Sequence, residues 1–439
     1  MSVPLGRGAL GLDLCAPARA AADRFVLYPS TEVLVVDVRP FRALRPAVGL
    51  EQRVICPPYD VIDVEEARAY AGGDADSFLR VSRPEIDLPA SVDPHADEVY
   101  ARGRANLDEF IARGVLVRDE VPTYSVYRLV MGEVVQTGIV AAVSVEDYNA
   151  DRVRIHEFTR PDKELDRVRH IAALDTQDEP VFLLARRSAD VDAIVGRVVA
   201  RKPDVDLVAR DGISHTLWVV SDAAEVAALH HALAATGHLY VADGHHRSAA
   251  ASRVHAARAG QPGEHDAFLA VVFPLDDVHV MAYNRVVVDL VGRTPAEFLA
   301  ALADVFDITD APSAVSPVTR HEFGIHLDGR WFLARARVVD ESDPLARLDV
   351  SILQDQVLAP LLSIGDPRTD SRIAFVGGIR GTAEIERLMS SGRAAVGFTL
   401  FPTSTEELVS VADAGQVMPP KSTWFEPKLA SGLFLHPLD

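Results

Sequence analysis

The sequence predicts an α/β (α+β) protein of more than one domain, and three observations carry that prediction. Apolar strand-like runs alternate with helix-like stretches, hairpin signals punctuate them, and the pattern restarts near residue 294. At 439 residues the chain also exceeds the size at which a single hydrophobic core keeps growing. Hydrophobic residues make up 48% and charged residues 25%, which is a globular composition and neither a disordered nor a membranous one.

Residues 1–30 read as a weakly ordered extension, because Asp13, Arg19, Asp23 and Arg24 interrupt any apolar run that a secretory signal would need. An apolar run over 33–38 ends at Pro40. Residues 53–62 carry Val54-Ile55 into Cys56-Pro57-Pro58-Tyr59-Asp60, a loop that its two prolines hold extended. Helices are expected over 65–70 and 97–113, the second with Val99, Leu107, Phe110 and Ile111 near one stripe. Strands over 123–129 and 134–143 flank Met131-Gly132-Glu133 as a hairpin. Strands follow over 181–184 and 217–220, then a helix over 223–235.

Residues 239–252 run an apolar strand into an alanine-rich helix across the polar knot Asp243-Gly244-His245-His246-Arg247. A strand over 267–273 precedes Asp276-Asp277, a cation-facing pair or a turn. Beyond 294 the reading gives a helix over 295–306, a hairpin of 322–327 with 330–337 around Asp328-Gly329, and a helix over 350–364. A strand over 372–376 then enters Gly377-Gly378-Ile379-Arg380-Gly381, with a helix over 382–390 and a strand over 394–400. Those glycines match neither the Walker nor the dinucleotide spacing, so they either bind phosphate or shape a turn.

The knot at 243–247 is the strongest chemical signal. Glycine permits close backbone approach, a helix start presents free N–H groups, and arginine with two histidines adds positive charge, so an anion would sit there. Turns favour Gly and Asp for conformational reasons alone, but adjacent histidines and an arginine are not core residues. A second polar concentration, 151–172, contains His156, Glu157, Lys163, Asp166, Arg167 and His170. Most of it reads as a solvated helix face, whereas His156-Glu157 at a boundary reads as an acid, base or ligand candidate. The zinc-protease pattern is missing, since position 160 is Arg. The polar, aromatic tail over 418–428 offers Lys421 and Lys428 to an anion and reads as a cover over the site.

With only Cys15 and Cys56, neither a disulfide framework nor a thiolate metal cage is expected, and a reducing cytoplasm is the natural compartment. A net charge of -20 without a basic stripe argues against nucleic acid, and no apolar run is long enough for a membrane span. A small molecule and a nucleotide are the expected partners; composition fixes no oligomeric state.

Taken in order, residues 54–62 and 78–84, His156-Glu157-Phe158-Thr159 with Lys163-Glu164, and then 243–247 and 418–428, resemble domain-of-unknown-function family 1015 over nearly everything after residue 30. The strand-turn-helix over 242–250 is also similar to the nucleotide-phosphate turn of the ParB and sulfiredoxin superfamily. Archaeal free-serine kinases within that superfamily carry a very similar Asp-Gly-x-His-Arg turn. The resemblance implies a mixed-sheet ParB/sulfiredoxin-like nucleotide-binding core over 31–290 and an additional C-terminal α/β domain over 291–439. It implies that Gly244, His245 and Arg247, with Ser248 beside them, hold nucleotide phosphates, and that Asp243 and His246 lie at the transferring phosphoryl group, Asp243 through magnesium.

The implied activity is a kinase-type phosphotransferase using ATP or ADP on a small hydroxy amino acid, in serine or phosphoserine metabolism. Glu157 and Asp60 are the candidate bases, and His156, Lys163, Arg167 and Lys421 are further substrate or phosphate contacts. Two alternatives stay open: a metal-assisted phosphatase or other hydrolase, and a ParB-like nucleotide-binding switch without turnover.

Overall fold

A computed structural model describes residues 35–439, so the expected extension over 1–30 lies outside the described residues. The first sheet has nine strands: β1 (Val38–Arg39), β2 (Tyr124–Met131), β3 (Val134–Ser144), β4 (Val153–Arg154), β5 (Val181–Ala185), β6 (Val205–Val208), β7 (Ser214–Val220), β8 (Leu239–Asp243) and β9 (Ala267–Pro274). Their order is β4-β8-β5-β9-β3-β2-β7-β6, with β1 pairing the end of β3 that β2 leaves free. The sheet is mixed, because β8 runs parallel to β4 and β9 parallel to β5 while the other neighbours are antiparallel.

Period-two alternation shows why these segments are strands. Val181, Leu183 and Ala185 face one core, and Phe182 and Leu184 the other; Leu239 and Val241 oppose Tyr240 and Ala242 in the same way. Both faces are buried, so the strands read as continuous apolar runs. Helices cover one face: α1 (Asp97–Ala112), α2 (Pro161–Leu174), α3 (Ala189–Val199), α4 (Ala223–Ala234) and α5 (His245–Ala257) all belong to this half, and Ile194, Val198, Leu229, Leu233 and Ala251 seal the second core. The α2 and α5 helices pack through Val168, Ile171, Ala250 and Val254.

A second sheet consists of β10 (Tyr283–Val287), β11 (Phe306–Ala311), β12 (Glu322–Leu327), β13 (Arg330–Ala336), β14 (Ile373–Gly377) and β15 (Val396–Leu400), all antiparallel, in the order β11-β13-β12-β15-β10-β14. Helices α6 (Pro295–Leu302), α7 (Gly381–Ser390) and α8 (Thr405–Asp413) accompany it. The β12–β13 turn has Asp328 and Gly329 both at positive φ, the geometry expected from that dipeptide. The single helix expected over 350–364 is instead Asp349–Leu353, a wider π-type turn Gln354–Leu358, and Ala359–Leu362. Pro360 supplies no N–H to the ladder, which is why the backbone departs from regular α-helix there.

The two sheets share one core, in which Tyr127, Phe182 and Phe273 join Phe323, Phe398 and Leu400. The tail also enters it through Met418, Phe425, Leu429 and Phe434. Beyond the second sheet the chain returns to the first half: Cys56 bridges Ser431, Leu44 bridges Leu435, and His436–Pro437 pairs with Thr176–Gln177.

Candidate phosphate-turn site

The site begins where β8 stops. Its register against β5 shifts between Val241 and Asp243, an irregularity that re-aims the last strand residues. Gly244 follows at φ 93, a conformation that favours glycine, and a Cβ there would make a tight contact of 3.3 Å with the Val181 Cα. Helix α5 then starts with no side chain capping it, which leaves its first N–H groups facing the turn.

Buried basic groups crowd this helix start. Arg247 is 7% exposed; its guanidinium donates to the Pro180 carbonyl and, at 3.2 Å, to Asp60, while its Nε has no partner. Arg167 on α2 pairs with Asp166 at 2.7 Å and leaves Nη1 unpartnered. Between them lies Tyr59 of the double-proline loop, its ring 4.0 Å from the Arg167 guanidinium carbon and 5.9 Å from that of Arg247. Burial pushes the Tyr59 hydroxyl up to about 12. The same two arginines line a small cavity with Asp178 and Glu179.

Asp243 accepts from its neighbour Gly244 N–H at 2.8 Å and from Lys428 at 3.0 Å. Burial works to raise its carboxyl, but the Lys428 and Arg247 charges outweigh that and hold it below the usual carboxylate range. His156 and His245 meet edge to face with ring centres 4.6 Å apart, and His156 Nδ1 and His245 Nε2 are buried without partners. Burial lowers His156 to about 4 and His245 well below the ordinary histidine value, so both rings are neutral. His246 Nε2 accepts from Arg160 N–H at 3.0 Å. Glu157 is raised mainly by burial, with Lys421 opposing and Asp243 reinforcing the shift, which places all three charges in one electrostatic neighbourhood.

Most of the residues singled out from sequence therefore converge: Asp60, His156, Glu157, Arg167, Asp243, Gly244, His245, His246, Arg247 and Lys421. Two do not. Ser248 is fully buried, and its hydroxyl donates to the His245 carbonyl at 3.1 Å inside its own helix. Lys163 is exposed in the first turn of α2, while Arg167 and His170, further along the same helix, are buried. That helix is divided: the face expected to be solvated puts two basic residues inward.

The two oxygens of Asp243 accept from Gly244 N–H and from Lys428, and among the described residues no three Asp, Glu, His or Cys side chains gather for a metal ion. The Lys428 ammonium lies beside Asp243 at 3.0 Å.

Glu179 is a residue that sequence reasoning missed. It is 5% exposed and accepts the Ser431 hydroxyl at 2.6 and 2.7 Å, and burial with the adjacent Asp178 raises it to about 8. In sequence, Asp178-Glu179-Pro180 looks like an ordinary acidic loop, and nothing local reveals that a tail residue 252 positions away covers it. The Gly377-Gly378 pair is accounted for by packing: added Cβ atoms would lie 2.9 Å from the Trp424 ring and 2.7 Å from the Ala282 carbonyl. Asp276 and Asp277 lie in a short 3-10 turn, Leu275–Asp277, and both pair with Arg187.

No helix among the described residues is long and apolar enough to cross a membrane. No curated protein matches the chain. Among solved structures, a free serine kinase in complex with AMP is 14% identical, with 66% of this chain and 86% of that chain covered and a TM-score of 0.33. A conserved hypothetical protein from Pyrococcus furiosus is 12% identical over 66% of this chain and 90% of its own, with a TM-score of 0.32. SbnI with a C-terminal truncation, from Staphylococcus aureus, is 12% identical over 65% and 82%, with a TM-score of 0.35. The family model for a protein of unknown function, DUF1015, matches residues 38–351, and with that match spanning most of its length the chain belongs to the DUF1015 family.

Proposed function

We propose that the protein is a nucleotide-dependent phosphotransferase that moves a phosphoryl group between ATP or ADP and the hydroxyl of a small hydroxy amino acid, serine or phosphoserine. The observation that carries this reading is the uncapped start of α5, reached through a left-handed glycine and backed by buried guanidinium and imidazole nitrogens that have no partner. Buried donors without acceptors are costly, and a phosphate supplies acceptors and negative charge together.

In this reading Gly244 lets the phosphate approach the backbone, and the α5 N–H groups, His245 and Arg247 hold it. Lys428 neutralises Asp243, which would otherwise repel the anion. Phosphoryl transfer asks a protein mainly for positioning and charge compensation. The acceptor hydroxyl forms the new P–O bond, the P–O bond to the nucleotide breaks, and the hydroxyl proton passes to Glu157. A raised carboxyl is the better base. Asp60, already tied to Arg247, instead fixes the guanidinium. His246, with Nε2 committed to Arg160 N–H, has its other ring nitrogen to donate to the transferring group.

The test is incubation with phosphate-labelled ATP or ADP and serine, or with phosphoserine and ADP, with and without magnesium. Label is expected to reach the amino acid, or leave phosphoserine for the nucleotide, and Glu157→Gln is expected to slow this about a hundredfold. Release of inorganic phosphate alone, or binding without turnover, contradicts the transferase reading.

A further inference from the structure

Behind the phosphate turn, one small cavity is lined by two carboxyls and two guanidiniums, those of Asp178, Glu179, Arg167 and Arg247. Asp178 and Glu179 are neighbours in the chain, and both are buried. Two adjacent buried carboxyls resist being charged together. Asp178 is the charged one: burial works to raise it, but His170, whose Nε2 lies 3.0 Å away, and Arg167 outweigh that.

Glu179 is the neutral one, and its geometry says so independently. The Ser431 Oγ stands 2.6 and 2.7 Å from its two oxygens, each within the normal range for an O–H···O bond. A hydroxyl has one proton to give, so Ser431 donates one of these bonds and the carboxyl's own O–H donates the other. Ser431 is fixed in place, because its backbone exchanges hydrogen bonds of 3.0 and 3.2 Å with Cys56 at the start of the double-proline loop. Burial is the main reason the proton stays, with Asp178 reinforcing it and Arg247 opposing.

Arg247 is where that proton matters. Its guanidinium donates to the carbonyl of Pro180, the residue after Glu179, and its Nε is buried without a partner among the described residues. The carboxylate paired with it there is Asp60 at 3.2 Å, whose side chain is 39% exposed and therefore screened by water. An ionised Glu179 would add a second counter-ion on the dry side of the guanidinium, where water does not weaken it. Arg247 would then be compensated from within and would offer less to a phosphate.

We infer that Glu179 is a positioning residue of the phosphate turn: neutral, it leaves the Arg247 charge to the nucleotide, and ionised, it withdraws that charge. Nucleotide affinity is thereby linked to a proton on a residue behind the turn, and the tail, through Ser431, becomes part of the phosphate site. By reciprocity, nucleotide binding takes up a proton wherever Glu179 is partly ionised. Tyr59 is raised to about 12 and Cys56 well above the ordinary thiol range, both mainly by burial, so neither loses its proton near pH 8. Asp60 and Arg167 complete the charged surroundings. The inference rests on the phosphate-binding part of the phosphotransferase reading.

The experiment is isothermal titration of ADP into the full chain, wild type and Glu179→Gln, from about pH 6.5 to about pH 9.5, a range that brackets the folded value of about 8. Near pH 8 the titrations are repeated in buffers of different ionisation enthalpy, which counts the protons taken up. Wild type is expected to lose about tenfold more affinity than Glu179→Gln across the range, the scale of one charge beside a binding arginine. It is also expected to take up a fraction of a proton per ADP near pH 8, and Glu179→Gln none. Groups common to both proteins titrate alike, so the difference isolates Glu179. An equal fall in the two proteins, or ADP binding to wild type without proton uptake, overturns the inference and leaves the phosphate turn standing. The second criterion needs no variant, so it holds even where Glu179→Gln does not fold. No ADP binding to wild type at any pH overturns the phosphate-turn reading and this inference with it.

Discussion

Gly244 is the residue on which the site turns, and it is legible in sequence for the right physical reason. A strand that ends in Asp-Gly before an alanine-rich helix needs a residue that accepts positive φ, and here a Cβ would also crowd the β5 backbone. We expect Gly244→Ala to lower stability by about 1 kcal/mol or more, because the left-handed conformation alone costs about that much and the new Cβ crowds the Val181 backbone. ADP affinity should fall with it; thermal melts with and without ADP check both. His156 and Glu157 were legible as polar residues at a boundary, and the structure shows what each does there: His156 is buried against His245, and burial raises the Glu157 carboxyl with the Lys421 charge opposing. Glu179 was not legible, because the hydroxyl that pairs with it comes from Ser431, 252 positions away in the chain.

At the scale of elements, the tail over 418–439 is the part that sequence reading understated. Read as a cover, it is a structural strap as well: Met418 N–H donates to the His156 carbonyl at 2.9 Å, Lys428 reaches Asp243, and Ser431 seals Glu179. Glu179 gives this strap a pH signature. Its folded value, about 8, lies above its ordinary value, so the folded protein keeps a proton that the unfolded chain loses. The stability it contributes is fully present below its ordinary range near pH 4.5 and is lost as pH rises toward 8. Glu179→Gln cannot ionise. Its melting midpoint relative to wild type should therefore climb by a few degrees between pH 5 and pH 8; scanning calorimetry at the two pH values would show it, and a constant difference would contradict the buried, protonated carboxyl.

At the scale of the whole molecule, the alternation of strands and helices gave the α/β class, but the restart near 294 invited too sharp a division. We retain two domains as a proposal, with one qualification that follows from packing. The second sheet begins with β10 before residue 291, and its inner face shares a continuous core with the first sheet through Phe398, Phe323, Phe182 and Tyr127. Shared cores couple unfolding. A single calorimetric transition is expected, with near-ultraviolet and far-ultraviolet circular dichroism coinciding; two resolved transitions would show independent domains. The core between the sheets was illegible because periodicity reveals which face of a strand is apolar and not which sheet covers it.

The central claim is that the start of α5 holds a nucleotide phosphate through Gly244 and Arg247. Titration of ADP into wild type and into Arg247→Ala by isothermal calorimetry tests it most directly. The account predicts saturable 1:1 binding to wild type and at least about a tenfold loss in the variant, the scale of one charge-assisted contact. Absence of ADP binding to wild type, or equal affinity in the two proteins, would contradict it.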